Sequence, residues 1–177
     1  MSSQDSKNND KDTINLVKKF IASNQRKRRN LINDIESSVE SLYIVGEEII
    51  KYVDREGDDW SIGWVLQVLK KYKPNFFEND IYNNWFYTKS AIDITYDDLQ
   101  LNLLKQDFEE ADRLTSAYLR KLAGKVAENR GYVFYSEVKD MPDEDLVTID
   151  RLWNIYSQGK FGFSNQAKLL KSVGKRY

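Results

Sequence analysis

Apolar residues recur three and four positions apart along most of this chain, the spacing that puts them on one face of a helix. Ile14, Val17, Phe20 and Ile21 form a first stripe, and Leu31, Ile35, Val39 and Leu42 a second. Tyr43 to Val53 is densely apolar and reads as buried. Asp58 or Asp59 is placed to cap a helix from Trp60 to Tyr72, with Trp64, Val65, Val68 and Leu69 inward and Pro74 ending it. Phe76, Phe77, Ile81 and Trp85 suggest one more short helix. Residues 1–12 are polar and featureless, so a disordered tail is expected there and a small helical bundle over 13–88.

Tyr87 to Thr95 reads as a connector, and a second helical unit is expected over 94–177. Thr95 opens a helix carrying Leu99, Leu103 and Leu104. Asp107 followed by Glu110 is a capping-box spacing. The helix it opens aligns Phe108, Ala111, Leu114, Thr115, Tyr118, Leu119 and Leu122, with Gly124 where a positive-φ residue is wanted. Between Gly131 and Val138 apolar residues run almost continuously, and period does not decide helix from strand. After a loop at Lys139–Glu144, a helix places Leu146, Ile149, Leu152, Trp153 and Tyr156 on one face; Asp145 helps begin it and Gly159 stops it. Ser164 is the expected cap of the last helix, which Gly174 ends. The fold class is all-α: an N-terminal helical bundle followed by a second helical domain.

Composition narrows the chemistry. Two Pro and eight Gly in 177 residues suit long helices. A net charge of −1 provides no global field for nucleic acid or an anionic membrane. With no Cys and no His, thiolate chemistry, disulfides, and the commonest acid–base group and zinc ligand are absent, which weighs against an enzyme and a metal centre. No apolar run reaches a membrane span, and the start, MSSQDSKNNDKD, has neither a secretory core nor transit-peptide character.

Three constellations remain. Arg26-Lys27-Arg28-Arg29 is short and followed by Asp34, Glu36 and Glu40, so a solvated helix face is expected rather than a nucleic-acid contact. The pairs Asp58/Asp59, Asp97/Asp98 and Glu109/Glu110 diverge by about 100° on a helix and suit helix starts better than catalysis. Tyr132, Phe134, Tyr135, Trp153, Tyr156, Phe161 and Phe163 cluster around two irregular segments. They read either as core, the stronger case on packing grounds, or as an apolar cleft rimmed by Val138–Pro142.

The stretches LKQDFEEADRLT and YVFYSEVKDMPDEDLVTIDRLWNIYSQGKFGFSNQ carry a further signal. They combine an AD-x-x-T helix (Ala111, Asp112, Thr115), an aromatic segment before Pro142, D-L-x-T-I-(D/N)-x-L-W from Asp145 to Trp153, and S-x-G-x-F-G-F-S-x-Q from Ser157 to Gln166. From about Ile94 to Gly174 the chain resembles the Genomes-uncoupled-four family, and its N-terminal half resembles that family's accessory bundle. The resemblance implies a non-enzymatic porphyrin carrier that needs no cofactor. It would bind protoporphyrin IX or magnesium protoporphyrin IX and stimulate magnesium chelatase, through that enzyme's large porphyrin-binding subunit, at the first committed step toward chlorophyll.

By the same resemblance Tyr135 and Val138, with Met141 and Pro142 beside them, meet the ring, while Trp153, Phe161 and Phe163 are scaffold holding the cleft open. Family members continue with a second, arginine-bearing loop, so this chain, ending at Lys175-Arg176-Tyr177, reads as a short member. Lys139, Lys160, Lys171, Lys175 and Arg176 are the cations available for propionates. The alternative is a helical interaction module of the same pathway that has lost porphyrin binding. A monomer is expected, without nucleic acid or a membrane span, peripheral membrane association staying open. Abundant Lys, Asn, Ile and Tyr suggest an AT-rich genome: a plastid-encoded stromal protein first, a cyanobacterial cytoplasmic one second.

Overall fold

The computed structural model describes residues 3–38, 41, 42, 46, 53–72, 74–77 and 85–174. Most of the apolar run from Tyr43 to Val53, Val39, Ile81 and the terminal Lys175–Tyr177 lie outside the described residues. The described chain is helical without a strand. Its α-helices are α1 (Ser3–Ile21), α2 (Gln25–Ser37), α3 (Trp60–Tyr72), α4 (Asp97–Leu104), α5 (Phe108–Leu122), α6 (Lys125–Arg130), α7 (Tyr135–Val138), α8 (Asp143–Tyr156) and α9 (Phe163–Val173), with a 3₁₀ turn at Pro74–Phe77.

Helix α1 corrects the expected tail. It starts at Ser3, so residues 3–12 are helical. Once Val17 and Phe20 anchor the helix in the core, adding turns upstream needs no new nucleation, and polar residues can follow despite modest propensity.

Helix α3 is the centre of the molecule. Every residue from Trp60 to Leu69 is buried, although its sequence position puts it in the expected accessory bundle. It packs most extensively on α8, from the other expected unit, and one hydrophobic cluster runs from Val17 through Leu69, Tyr96 and Leu103 to Tyr156. The two expected units therefore share a core. Gly63 sets how closely the two helices approach: a Cβ there would stand 2.6 Å from both the carbonyl oxygen and Cγ2 of Ile155. Gln67, buried midway along α3, donates through Nε2 to the carbonyls of Leu103 (3.1 Å) and Tyr156 (2.8 Å), at the ends of α4 and α8. Carbonyls there have no partner within their own helix.

The basic block departs from a solvated face at one residue. Arg28 is buried, with both Nη atoms 2.8 Å from the two carboxylate oxygens of Asp59. Its guanidinium also donates to the carbonyls of Phe20 (3.2 Å) and Ile21 (2.7 Å) at the end of α1. Asp59 in turn accepts from the Ser61 N–H (2.9 Å) and so caps α3, while Arg28 ties α1, α2 and α3 together.

The connector is equally fixed. Gln100 of α4 accepts from the Phe86 N–H (2.6 Å) and donates to the Phe86 carbonyl (3.1 Å), a two-way amide pairing. From α8, Thr148 donates to the Lys89 carbonyl (2.8 Å) and Arg151 to those of Arg55 (3.1 Å) and Tyr87 (2.8 Å). Asp145, fully buried, accepts from the Tyr96 hydroxyl (2.7 Å) and the Ala91 N–H (2.9 Å). Besides standing in the first turn of α8, it anchors this segment. Burial alone would raise the Asp145 carboxyl above its ordinary range, but hydrogen bonds from Ser90, Tyr96 and Ala91 outweigh it and hold the group low.

Two outcomes follow for stability. Gly63→Ala, which on an exposed helix would gain about 1 kcal/mol, lowers the unfolding free energy here by about 2 kcal/mol in urea, because no rotamer relieves a contact between Cβ and backbone. The Asp145 contribution is complete above its unfolded value near pH 4 and is lost as pH falls through the lower folded value. Asp145→Asn is thus less stable than the parent at neutral pH, and the difference shrinks on acidification below about pH 4 in parallel urea titrations.

Candidate functional site

The site is built where α5, α7, α8 and the start of α9 meet. Asp107 caps α5 by accepting from the Glu110 N–H (3.2 Å). The box is not reciprocal, because the Glu110 carboxylate grips Arg113 instead at 2.7 and 2.6 Å. Gly124 (φ 95°) and Gly131 (φ 88°) then turn the chain on either side of α6, at dihedrals that side chains disfavour. The run from Gly131 to Val138, undecided by its pattern, is an extended lead-in followed by the single turn α7.

A compact brace holds that lead-in. The Arg130 guanidinium lies 4.0 Å from the Phe134 ring centroid and 4.7 Å from that of Tyr132. It donates to the Glu137 carboxylate (2.6 Å) and the Tyr132 carbonyl (3.0 Å), and the same Glu137 oxygen accepts from the Phe134 N–H (2.7 Å). That N–H and the guanidinium hold the Glu137 carboxyl below its ordinary range. With the brace in place, α7 projects Tyr135 almost wholly into solvent, at 95% exposure.

Beyond the loop, Pro142 precedes α8 as its N-cap residue at φ −62°. Gln158 (φ 57°) and Gly159 (φ 72°) reverse the chain after α8. Gly162 (φ 115°) passes so near α8 that a Cβ would stand 2.5 Å from Asp150 Oδ1. The expected Ser164 cap is corrected here: α9 begins at Phe163, and Asp150 of α8 accepts from the Ser164 N–H (3.0 Å), capping α9 from outside.

These elements enclose an open cleft of about 620 Å³, within the range of small-molecule sites. Leu119 lines it from α5, Val133, Tyr135 and Val138 from the α7 segment, Met141 from the loop, Leu146, Val147 and Asp150 from α8, and Phe163 from α9. Eight of these nine are apolar or aromatic. Across Phe163 lies a smaller hollow of about 290 Å³, walled by Phe108, Thr115, Trp153, Phe161 and Gln166.

Three of the four expected ring contacts, Tyr135, Val138 and Met141, meet on this cleft, Met141 buried at its floor. Pro142 stands behind it, outside the lining. Of the expected scaffold, Trp153 is half-buried, stacks on Phe108 and donates through Nε1 to Thr115 (2.9 Å). Phe161 is exposed over the smaller hollow, edge-on to Trp153. Phe163, 37% exposed, is part of the wall itself. An apolar side chain at the first residue of a helix has no inner turn to pack against, so it faces the cleft. Sequence reasoning passed over Val147 and Asp150 in the cleft and Arg130 behind it. Val147 had a visible signal, an apolar residue outside the α8 stripe; Arg130 at a helix end reads only as a partner of the helix dipole.

Among the described residues no group of His, Cys, Asp or Glu is arranged to hold a metal ion, and no helix is long and apolar enough to cross a membrane. Residues 89–177, half of the chain, match the GUN4-like family. The chain belongs to that family. A Ycf53-like protein of Synechocystis is 36% identical over 138 residues, 76% of this chain and 59% of its own length. The Arabidopsis thaliana protein named "Tetrapyrrole-binding protein, chloroplastic" is 44% identical over 82 residues, 46% of this chain and 31% of its own. The solved structure of GUN4 from Chlamydomonas reinhardtii superposes with a TM-score of 0.50 at 37% identity, covering 51% of this chain and 64% of that one. The chain thus spans a third to about three fifths of the curated relatives it matches. Every cleft residue lies in the segment matching the GUN4-like family, whereas the Synechocystis match also reaches into the N-terminal half.

Arg130→Met keeps most of the apolar stem but removes the charge and its donors. Amide exchange at Phe134 rises at least about fivefold, while amides of α3 keep their protection. Equal protection at Phe134 would show that the segment is held by something other than Arg130.

Proposed function

We propose that this GUN4-like chain binds a tetrapyrrole in the 620 Å³ cleft, as protoporphyrin IX or magnesium protoporphyrin IX, and stimulates magnesium chelatase through its large subunit without catalysing the insertion. The observation carrying the reading is the coincidence of an open apolar cleft with the family segment shared with a relative named for tetrapyrrole binding. A porphyrin has two broad apolar faces and carboxylates at its edge. Tyr135, Val138 and Met141 offer a greasy, deformable surface for a face, with Pro142 fixing the loop behind them. Exposed Lys139, which follows Val138 in the chain, is the cation we assign to a propionate in water. A carrier of this kind needs no acid–base group, in keeping with a chain that lacks His and Cys. A plastid stroma or cyanobacterial cytoplasm is the proposed setting, relatives occurring in both lineages.

A second reading, a helical interaction module, is favoured by α9, which leaves Leu169, Leu170 and Val173 exposed on one helix. A titration with deuteroporphyrin, followed by tryptophan quenching and the Soret band, separates the two. Saturable binding at micromolar concentrations is expected. Tyr135→Ala weakens it about tenfold, the loss from about 50 Å² of ring contact, whereas Lys11→Ala on α1 leaves it intact. Absence of quenching and Soret change up to tens of micromolar, together with co-purification with the chelatase large subunit, would replace the first reading by the second.

A further inference from the structure

Asp150 is the polar exception in the cleft. It stands on α8 and lines the cleft with Val147, Tyr135 and Val138, the one charged side chain in a lining otherwise apolar or aromatic. Its Oδ1 is committed to the Ser164 N–H, and the same oxygen lies where a Cβ at position 162 would intrude, so only glycine leaves room for this carboxylate. Lys168 lines the groove behind it with Arg151 and Asn154, yet no ion pair joins Lys168 to Asp150 among the described residues. The capping role and the helix dipole account for a carboxylate at the start of α9, but they do not require that it also line an apolar cleft.

We propose that Asp150 is a specificity-determining residue that restricts the cleft to tetrapyrroles whose acid groups all lie on one edge. The proposal rests on the tetrapyrrole reading above. A porphyrin with both carboxylates on one edge can insert its apolar edge past Val147 and leave the charges at the mouth. A porphyrin bearing a carboxylate on each pyrrole ring must bring one of them against Asp150. There two like charges meet beside an apolar wall that screens them poorly.

The test compares deuteroporphyrin, with two carboxylates on one edge, and coproporphyrin III, with four around the ring, on the full chain and on Asp150→Asn. The parent is expected to bind the dicarboxylate at least about tenfold tighter. Asp150→Asn retains an oxygen for the Ser164 cap and narrows the ratio to within about threefold by strengthening coproporphyrin binding. Salt supplies a readout without substitution: the parent's ratio falls from low salt to about 0.5 M as the repulsion is screened. A ratio unchanged in Asp150→Asn and insensitive to salt, or no preference in the parent, overturns the assignment while leaving tetrapyrrole binding standing. Failure of the parent to bind either porphyrin overturns both.

Discussion

The close crossing of α3 over α8 is the constraint on which the rest of the structure depends. Gly63 lets the α3 backbone lie against Ile155, and that approach brings Gln67 within reach of the Tyr156 carbonyl. It also unites two halves that are separate in sequence into one hydrophobic cluster. If α8 moved outward to admit a Cβ, the Tyr156 hydroxyl would leave Gln100 (3.0 Å), the same oxygen that receives the Phe86 N–H. The connector, the C-terminal end of α4 and the axis of α8 are therefore set by one absent methyl group, and buried polar groups enforce the arrangement because each would be costly without its partner.

This constraint explains why a cleft exists at all. The inner face of α8 is consumed by α3, by Tyr96 and by the pinned connector through Asp145, Thr148, Ile149, Leu152 and Tyr156. Its outer face, with Val147 and Asp150, lines the cleft. The α7 segment stands off instead of collapsing onto that face, held by the Arg130 brace and the buried Met141. Exposed apolar area of this kind marks a binding surface more often than an accident of packing. Here one wall belongs to the core and the other to a charge-and-ring clasp outside it.

The sequence made the helices legible wherever a stripe met a capping or stopping residue, as at Asp107 and Gly159, because those signals are local. It also exposed the aromatic segment and loop that form one side of the cleft. Partnerships across distance were hidden from it. Nothing near Arg28 announces Asp59, nothing near Ser164 announces that Asp150 caps its helix, and Gly63 inside an ordinary apolar helix gives no sign of Ile155. The fixing of the connector was hidden for the same reason: a segment with Ser, Asp and Thr looks like a linker until the groups that bind its backbone, Gln100, Asp145 and Arg151, are brought to it by the fold.

The exposure of Phe163 and Tyr135 gives this architecture its direction. A core aromatic stabilises a fold by leaving water, so two large rings in solvent, on walls the fold has rigidified, forgo that contribution. On the proposed reading, a flat apolar ligand between them would recover it without a conformational search, since neither wall must move. The same rigidity holds Asp150 beside the apolar wall, where a mobile carboxylate would turn to water. Preorganisation therefore acts on both terms, favouring an apolar ring and disfavouring one that presents charge to the inner end.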